Sequence, residues 1–154
     1  MSGIEVSRVT IQTHSHATED LDKVMQSILN ILPPSLRNNI TIERETLRGF
    51  YRNPIYRLKV VLGKDQALEF LKNLFKLMNE SDKRILISSL DMRYNRKSNE
   101  MFIRLSKQDA YQGTVTLYEG DDAIKISIAF AYKRSLNSVR QIIEKLIEVA
   151  ANDS

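Results

Sequence analysis

The chain of 154 residues contains no cysteine, no tryptophan, three prolines and five glycines. Without cysteine there can be no disulfide framework, no thiolate nucleophile and no cysteine-based zinc site. That absence suits a reducing cytoplasm, and sixteen isoleucines with no tryptophan lean towards a thermophile. The glycines fall at 3, 49, 63, 113 and 120. They form neither a GxxxxGK[ST] loop nor a GxGxxG turn, so nucleotide-loop chemistry and a dinucleotide cofactor are not expected. No GxSxG elbow is present either. The first residues run directly into an alternating pattern, with no basic and apolar leader. No apolar run is long enough to span a bilayer, so a soluble, cytoplasmic protein is expected.

The composition itself is ordinary for a globular chain: 42% hydrophobic and 27% charged. A chain of this length buries roughly two-thirds of its unfolded surface, and residues 1–154 read as one domain. Charge is distributed unevenly. The formal net charge is +4; residues 1–47 and 108–154 each carry a net −2, and residues 48–107 carry +8. A concentration of positive charge in the middle third points to a polyanionic partner. The competing explanation is a solvated surface of lysine and arginine.

Hydrophobic periodicity gives the order β-α-β-β-α-α-β-β-β-α. Ile4, Val6, Val9 and Ile11 outline a first strand that shifts face near Ser7-Arg8. Thr18 is the expected N-cap of a helix with Leu21, Val24, Met25, Ile28 and Leu29 on one stripe, ended by Pro33-Pro34. Residues 40–48 and 55–62 read as strands joined by the turn at 49–54. A helix follows from about Lys64 to Met78, then a shorter one near Ser81 to Leu90. Met92 to Asn99 reads as an exposed loop. Strands are expected at Met101–Leu105 and Thr114–Tyr118, with a short turn or helix at Ser106–Gln112 between them. Asp121-Asp122 read as a hairpin turn before the clearest strand, Ile124 to Tyr132. Ser135 caps a final helix striped with Val139, Ile142, Ile143, Leu146 and Ile147. Short connections between adjacent strands favour an α+β fold: an antiparallel sheet with helices on one face and the other partly open to solvent.

Three clusters mix basic and flat side chains. One holds Arg48, Phe50, Tyr51, Arg52, Asn53, Tyr56 and Arg57; another Arg93, Tyr94, Asn95, Arg96 and Lys97; the third Arg104, Lys107, Gln108 and Tyr111. Arginine and lysine neutralise phosphates, and tyrosine stacks on unpaired bases. Tyr56 falls on the inward parity of its strand and Arg57 on the outward one. For Tyr51 and Tyr111, packing beneath a turn competes with stacking. His14 and His16, two apart on a strand with Glu19 and Asp20 nearby, supply half of a metal site at most, and a polar strand end with a helix cap is the simpler explanation. Likewise Asp121 and Asp122 suit a turn better than a metal patch. No catalytic residue, metal or cofactor is assigned.

Four segments resemble those of an archaeal family of predicted exosome subunits or RNA-binding proteins. His14-Ser15-His16-Ala17-Thr18-Glu19-Asp20 is similar to its "HATED" helix start, and Gly49-Phe50-Tyr51-Arg52-Asn53-Pro54-Ile55 to its G-x-Y-G-N-P-I turn. The segment from Arg104 to Gly113 resembles R-x-D-K-Q-x-A-Y-x-G, and Glu119 to Ile126 the hairpin that follows. Arg52 stands where the pattern has glycine. Ser106 stands where it has aspartate, which removes a helix cap or an acidic contact. The resemblance implies a fold like that of the ribosomal protein that holds five-S ribosomal RNA, and a role near the exosome or in ribosome biogenesis.

The leading expectation is therefore a non-catalytic RNA-binding protein, accessory to RNA processing, using the residues of the three clusters. The alternative is a structural subunit whose open sheet face docks on a partner or pairs as a homodimer. A third is a hydrolase built on Asp91, Glu119, Asp121 and Asp122.

Overall fold

The computed structural model describes residues 5–48 and 53–152. Strands β1 (Val6–Ser15), β2 (Glu43–Arg48), β3 (Pro54–Gly63), β4 (Tyr94–Asn95), β5 (Glu100–Ser106) and β6 (Ala123–Phe130) form one sheet, in the order β2-β3-β1-β6-β5-β4. Every neighbouring pair is antiparallel. The register aligns like with like. Val9 lies opposite Leu62 and Ile128, Ile11 opposite Val60 and Ile126, and Ile103 opposite Ile126. All of these side chains are fully buried. Because side chains alternate between faces, a slip of one residue would send this whole apolar set into water, so burial fixes the register. The expected change of face near Ser7-Arg8 is a bulge between Val6 and Arg8 in the β1–β6 pairing.

Helices α1 (Leu21–Ile31), α2 (Lys64–Leu77), α3 (Glu80–Ser88), α4 (Leu90–Arg93), α5 (Lys107–Tyr111) and α6 (Leu136–Asn152) bury their stripes on that apolar face. Phe70, Leu71, Leu74 and Phe75 of α2 meet β1 and β3 on one side and α6 on the other. Val139, Ile142, Ile143 and Leu146 of α6 complete the layer. Among the described residues no helix is long and apolar enough to cross a membrane.

Four local expectations need correction. The N-cap of α1 is Asp20, whose Oδ1 accepts from the Asp22 amide at 3.0 Å; Thr18 lies in the preceding turn. The expected loop at 92–99 is instead the end of α4 and a tight β4–β5 hairpin. Asn99 holds this hairpin in a left-handed conformation (φ 56°), accepting from the Tyr94 hydroxyl at 2.7 Å and donating to the carbonyls of Phe130 and Tyr132. Asparagine tolerates that conformation because its short side chain bonds locally. The segment Thr114–Tyr118 is extended but is not a full strand. It touches β5 at a single bridge, Leu105–Leu117, at the end of that edge away from β4. The chain therefore bends through 120–122 directly into β6, without a two-stranded hairpin.

Ser106 keeps the capping role its replacement of aspartate puts in question, with its Oγ accepting from the Asp109 amide at 3.1 Å. Gly113 (φ 88°) closes α5. The Gly113 and Thr114 amides donate back to the carbonyls of Ala110 and Asp109, the paired hydrogen bonds of a Schellman cap that a glycine makes without strain. The structure predicts that Asp20→Ala lowers unfolding free energy by about 1 kcal/mol in urea titration, whereas Thr18→Ala changes it by much less. Equal losses would contradict the observed cap.

Candidate nucleic-acid interface

The parity that buries the apolar residues sends the intervening ones to the opposite face. There the aligned register makes rows that cross the strands. One row reads Glu43 (β2), Lys59 (β3), Gln12 (β1), Lys125 (β6) and Arg104 (β5). From Lys59 to Arg104 it crosses four strands, roughly 14 Å at the usual spacing. The row above contains Glu45, Arg57 and His14, and the rows below contain Thr10, Ser127 and Phe102, then Arg8 and Glu100. The Lys125 ammonium lies 4.6 Å from the centre of the Phe102 ring. No ion pair engages Lys59 or Lys125 among the described residues; Arg104 reaches Asp121 only at 4.0 Å. Arg57 and Arg8 are paired, with Glu45 at 3.4 Å and Glu100 at 3.3 Å. The result is an uncovered, net-positive surface with one half-buried aromatic ring in it.

The three sequence clusters divide across this geometry. Arg57 and Arg104 belong to the open face. Arg48 and Asn53 are exposed at the outer end of the β2–β3 pair, and Tyr51 and Arg52 lie outside the described residues. Tyr56 faces the helical side, half-buried, with the Arg44 guanidinium 5.4 Å from its ring. Arg96 and Lys97 are exposed at the tip of the β4–β5 hairpin. Two members of that cluster turn inward, contrary to their reading as loop residues. Tyr94 is buried against Phe130, with ring centres 5.9 Å apart at 71°. Arg93 donates to Ser89 Oγ at 2.8 Å and to Glu119 at 3.0 Å. Gln108 and Tyr111 remain accessible beside Lys23, whose ammonium is 5.8 Å from the Tyr111 ring; with Lys107 they border a cleft of about 290 Å³ between α1 and α5. Lys59, Lys125 and Phe102 are residues of this surface that the three sequence clusters do not include. Their signal was strand parity: each alternates with a buried isoleucine, leucine, valine or methionine.

Lys107 departs most from its sequence reading. Only 6% exposed, its ammonium donates to the His14 carbonyl at 2.9 Å and meets Glu19 Oε2 at 2.9 Å and Asp122 Oδ1 at 2.6 Å. It thereby ties the end of β1, the start of α1, the start of α5 and the approach to β6. A buried ammonium with three acceptors is a tie within the fold, not a phosphate contact. His16 joins the group, 3.7 Å from Asp122 and 3.9 Å from Glu19. The potential ligand atoms of His16, Glu19 and Asp122 lie within 4.8 Å of one another. Lys107 already supplies the cation that the two carboxylates share. Of the four acids considered for hydrolysis, three are met by a base: Glu119 by Arg93, Asp121 by Arg104 and Asp122 by Lys107.

A family described as RNA binding matches residues 8–130. The chain belongs to this RNA-binding family. It is 30% identical over 139 residues to an uncharacterized protein of Methanocaldococcus jannaschii, covering 90% of this chain and 91% of that one. It is 28% identical over 148 residues to an RNA-binding protein of Pyrococcus abyssi, covering 92% and 96%. A crystal structure of a protein from Archaeoglobus fulgidus superposes with a TM-score of 0.78 at 30% identity, covering 92% and 99%. The family match runs from Arg8 in β1 to the end of β6 and takes in every open-face residue of the rows described above.

Two outcomes follow from this end of the molecule. Lys107→Met removes the cation that Glu19 and Asp122 share, and should cost about 2 kcal/mol in urea unfolding. That is less than a fully buried pair, because Asp122 is 58% exposed and water can solvate it. His14 is held below its ordinary value of 6.5, first by burial and then by the positive charges of Arg57, His16 and Lys107. The unfolded chain then takes up the proton more readily than the folded one, so stability is full above pH 6.5 and falls as pH drops towards the folded-state value. The urea midpoint should fall more between pH 7.5 and 5.5 in the wild type than in His14→Gln; equal falls would show that His14 is not the titrating group.

Proposed function

We propose that the protein binds RNA without catalysis across the open face of its sheet. Lys59, Lys125, Arg104 and Arg57 contact phosphates, and Phe102 offers a ring at the level of the bases. The observation that carries this reading is the row Lys59–Gln12–Lys125–Arg104, which faces solvent with no acid bound to its two lysines among the described residues. Membership of the RNA-binding family supports the ligand class. The row reads backbone charge more than sequence, because lysine meets a phosphate as a point charge. The engagement of Glu119, Asp121 and Asp122 by bases supports a non-catalytic role. In that role the protein serves as an accessory factor in RNA processing or degradation beside the exosome, or in ribosome biogenesis, as the motif resemblance implies.

A second reading, a docking surface for a partner protein or a second copy, draws on Val61, which is 47% exposed on the same face. The two separate by salt. Each phosphate neutralised on a single strand contributes roughly 0.7 to the slope of log affinity against log salt. Replacing Lys59, Lys125 and Arg104 together by glutamine should lower RNA affinity by roughly ten- to hundredfold at low salt and reduce that slope by about 2. Arg140→Gln with Lys145→Gln, on α6 across the molecule, should change neither. An unchanged slope in the triple variant would remove the open face from the RNA site. Protein complexes that survive the triple substitution would favour the docking reading.

A further inference from the structure

At the end of β5 opposite Lys107, the chain folds a second basic feature that the row does not include. The tip of the β4–β5 hairpin brings Arg96 and Lys97 against Lys133, Arg134 and Ser135, which link β6 to α6. The five residues wall a recess of about 460 Å³, within the range of ligand pockets, roughly 300–1,000 Å³. Its four cations come from two segments far apart in sequence. Among the described residues no carboxylate pairs with Arg96, Lys97 or Lys133. Arg134 meets Glu5 only at 3.7 Å, and its Nε and Nη2 are buried with no hydrogen-bond partner. Arg134 therefore brings to the recess a cation that one distant carboxylate only partly offsets.

The walls are held in place. The Asn95 carboxamide oxygen accepts from the amides of Lys97 and Ser98, and Asn99 ties the hairpin to Phe130 and Tyr132. Ser135 caps α6: its Oγ accepts from the Ser138 amide and its carbonyl from the Val139 amide. The first turn of α6 carries no acid of its own, so its positive end adds to the field of the four cations.

We propose that this recess binds a terminal phosphate of RNA, a phosphomonoester at one end of the chain. The proposal rests on the RNA-binding reading and deepens it. A terminal phosphate carries about −1.5 to −2 at pH 7 with three strong acceptor oxygens, whereas an internal phosphodiester carries a single charge. Four cations around one recess match the former. An internal phosphate also needs the strand to leave on both sides, which the open row of the sheet allows; a chain end entering the recess needs only one exit.

The test is a competition experiment in which a fluorescent RNA bound to the protein is displaced by unlabelled decamers of one sequence. The decamers end in a 5′-phosphate, in a 3′-phosphate, or in hydroxyls only. One phosphorylated end should compete about tenfold better than the hydroxyl-ended decamer, the equivalent of one charge-assisted contact, and which end does so identifies the source of the phosphate. The variant Lys97→Gln with Lys133→Gln, both exposed, should abolish that preference and keep the affinity for the hydroxyl-ended decamer; Arg96→Gln alone should reduce it. Equal competition by all three decamers, or a preference that survives in the double variant, would overturn the terminal-phosphate site while leaving RNA binding by the sheet face intact. Failure of every decamer to bind would sink both readings.

Discussion

Along most of β1, β3, β5 and β6 buried residues alternate with more exposed, mainly polar ones, and the four strands are aligned so that their apolar residues meet on the same side. The helices cover that side, and their stripes have no other surface on which to bury comparable area. What remains is a face whose residues were chosen under a different constraint. They include Lys59, Gln12, Lys125 and Arg104 in one row, with Phe102 one row away. The rest of the account depends on this division. The same register that hides Ile11, Val60, Ile126 and Ile103 brings the cations of three strands, β3, β6 and β5, into line across Gln12 of β1, and no loop has to be positioned to do it. A charged edge strand, β2, closes the sheet on one side, where a bare apolar edge would invite pairing with other chains.

The segments that make the chain resemble its family serve this scaffold more than the interface. Glu19 from the helix-start motif, Lys107 from the R-x-S-K-Q segment and Asp122 from the hairpin motif meet in one cluster, closed by the His14 carbonyl. Asn30 of α1 adds bonds to the carbonyls of Ala110 and Tyr111, fastening α1 to α5. Stretches that stand out along a sequence thus fix how β1, α1, α5 and β6 join. The surface they support is built from unremarkable strand positions.

That contrast explains how far the sequence could be read. The α+β class, the antiparallel sheet, the one-sided helices and the uncovered face were legible, because periods of 2 and 3.6 residues mark which side of each element is buried. Arg57 was placed on the surface by the same parity, and Arg104 was singled out as part of a basic cluster at the end of its strand. Tyr94 and Arg93 were not legible. They sit in a polar stretch, and only the tertiary partners Phe130, Asn99 and Glu119 reveal that they turn inward. Lys107 misled for a related reason: a lysine beside an arginine and a tyrosine reads as a phosphate contact, and its burial depends on Glu19 and Asp122, 88 residues before and 15 after it. The recess beneath the β4–β5 hairpin was half visible. Arg96 and Lys97 were singled out, while Lys133 and Arg134 join them only through the pairing of β5 with β6.

The central claim is that RNA lies on the open face of the sheet. Its most direct test is the map of backbone amide shifts in isotopically labelled protein as a single-stranded RNA is titrated in at low salt. The account predicts that the perturbed amides cluster at Gln12, Lys59, Phe102, Arg104 and Lys125 and their strand neighbours. Shifts concentrated on α2, α3 and α6, with that row unmoved, would contradict it.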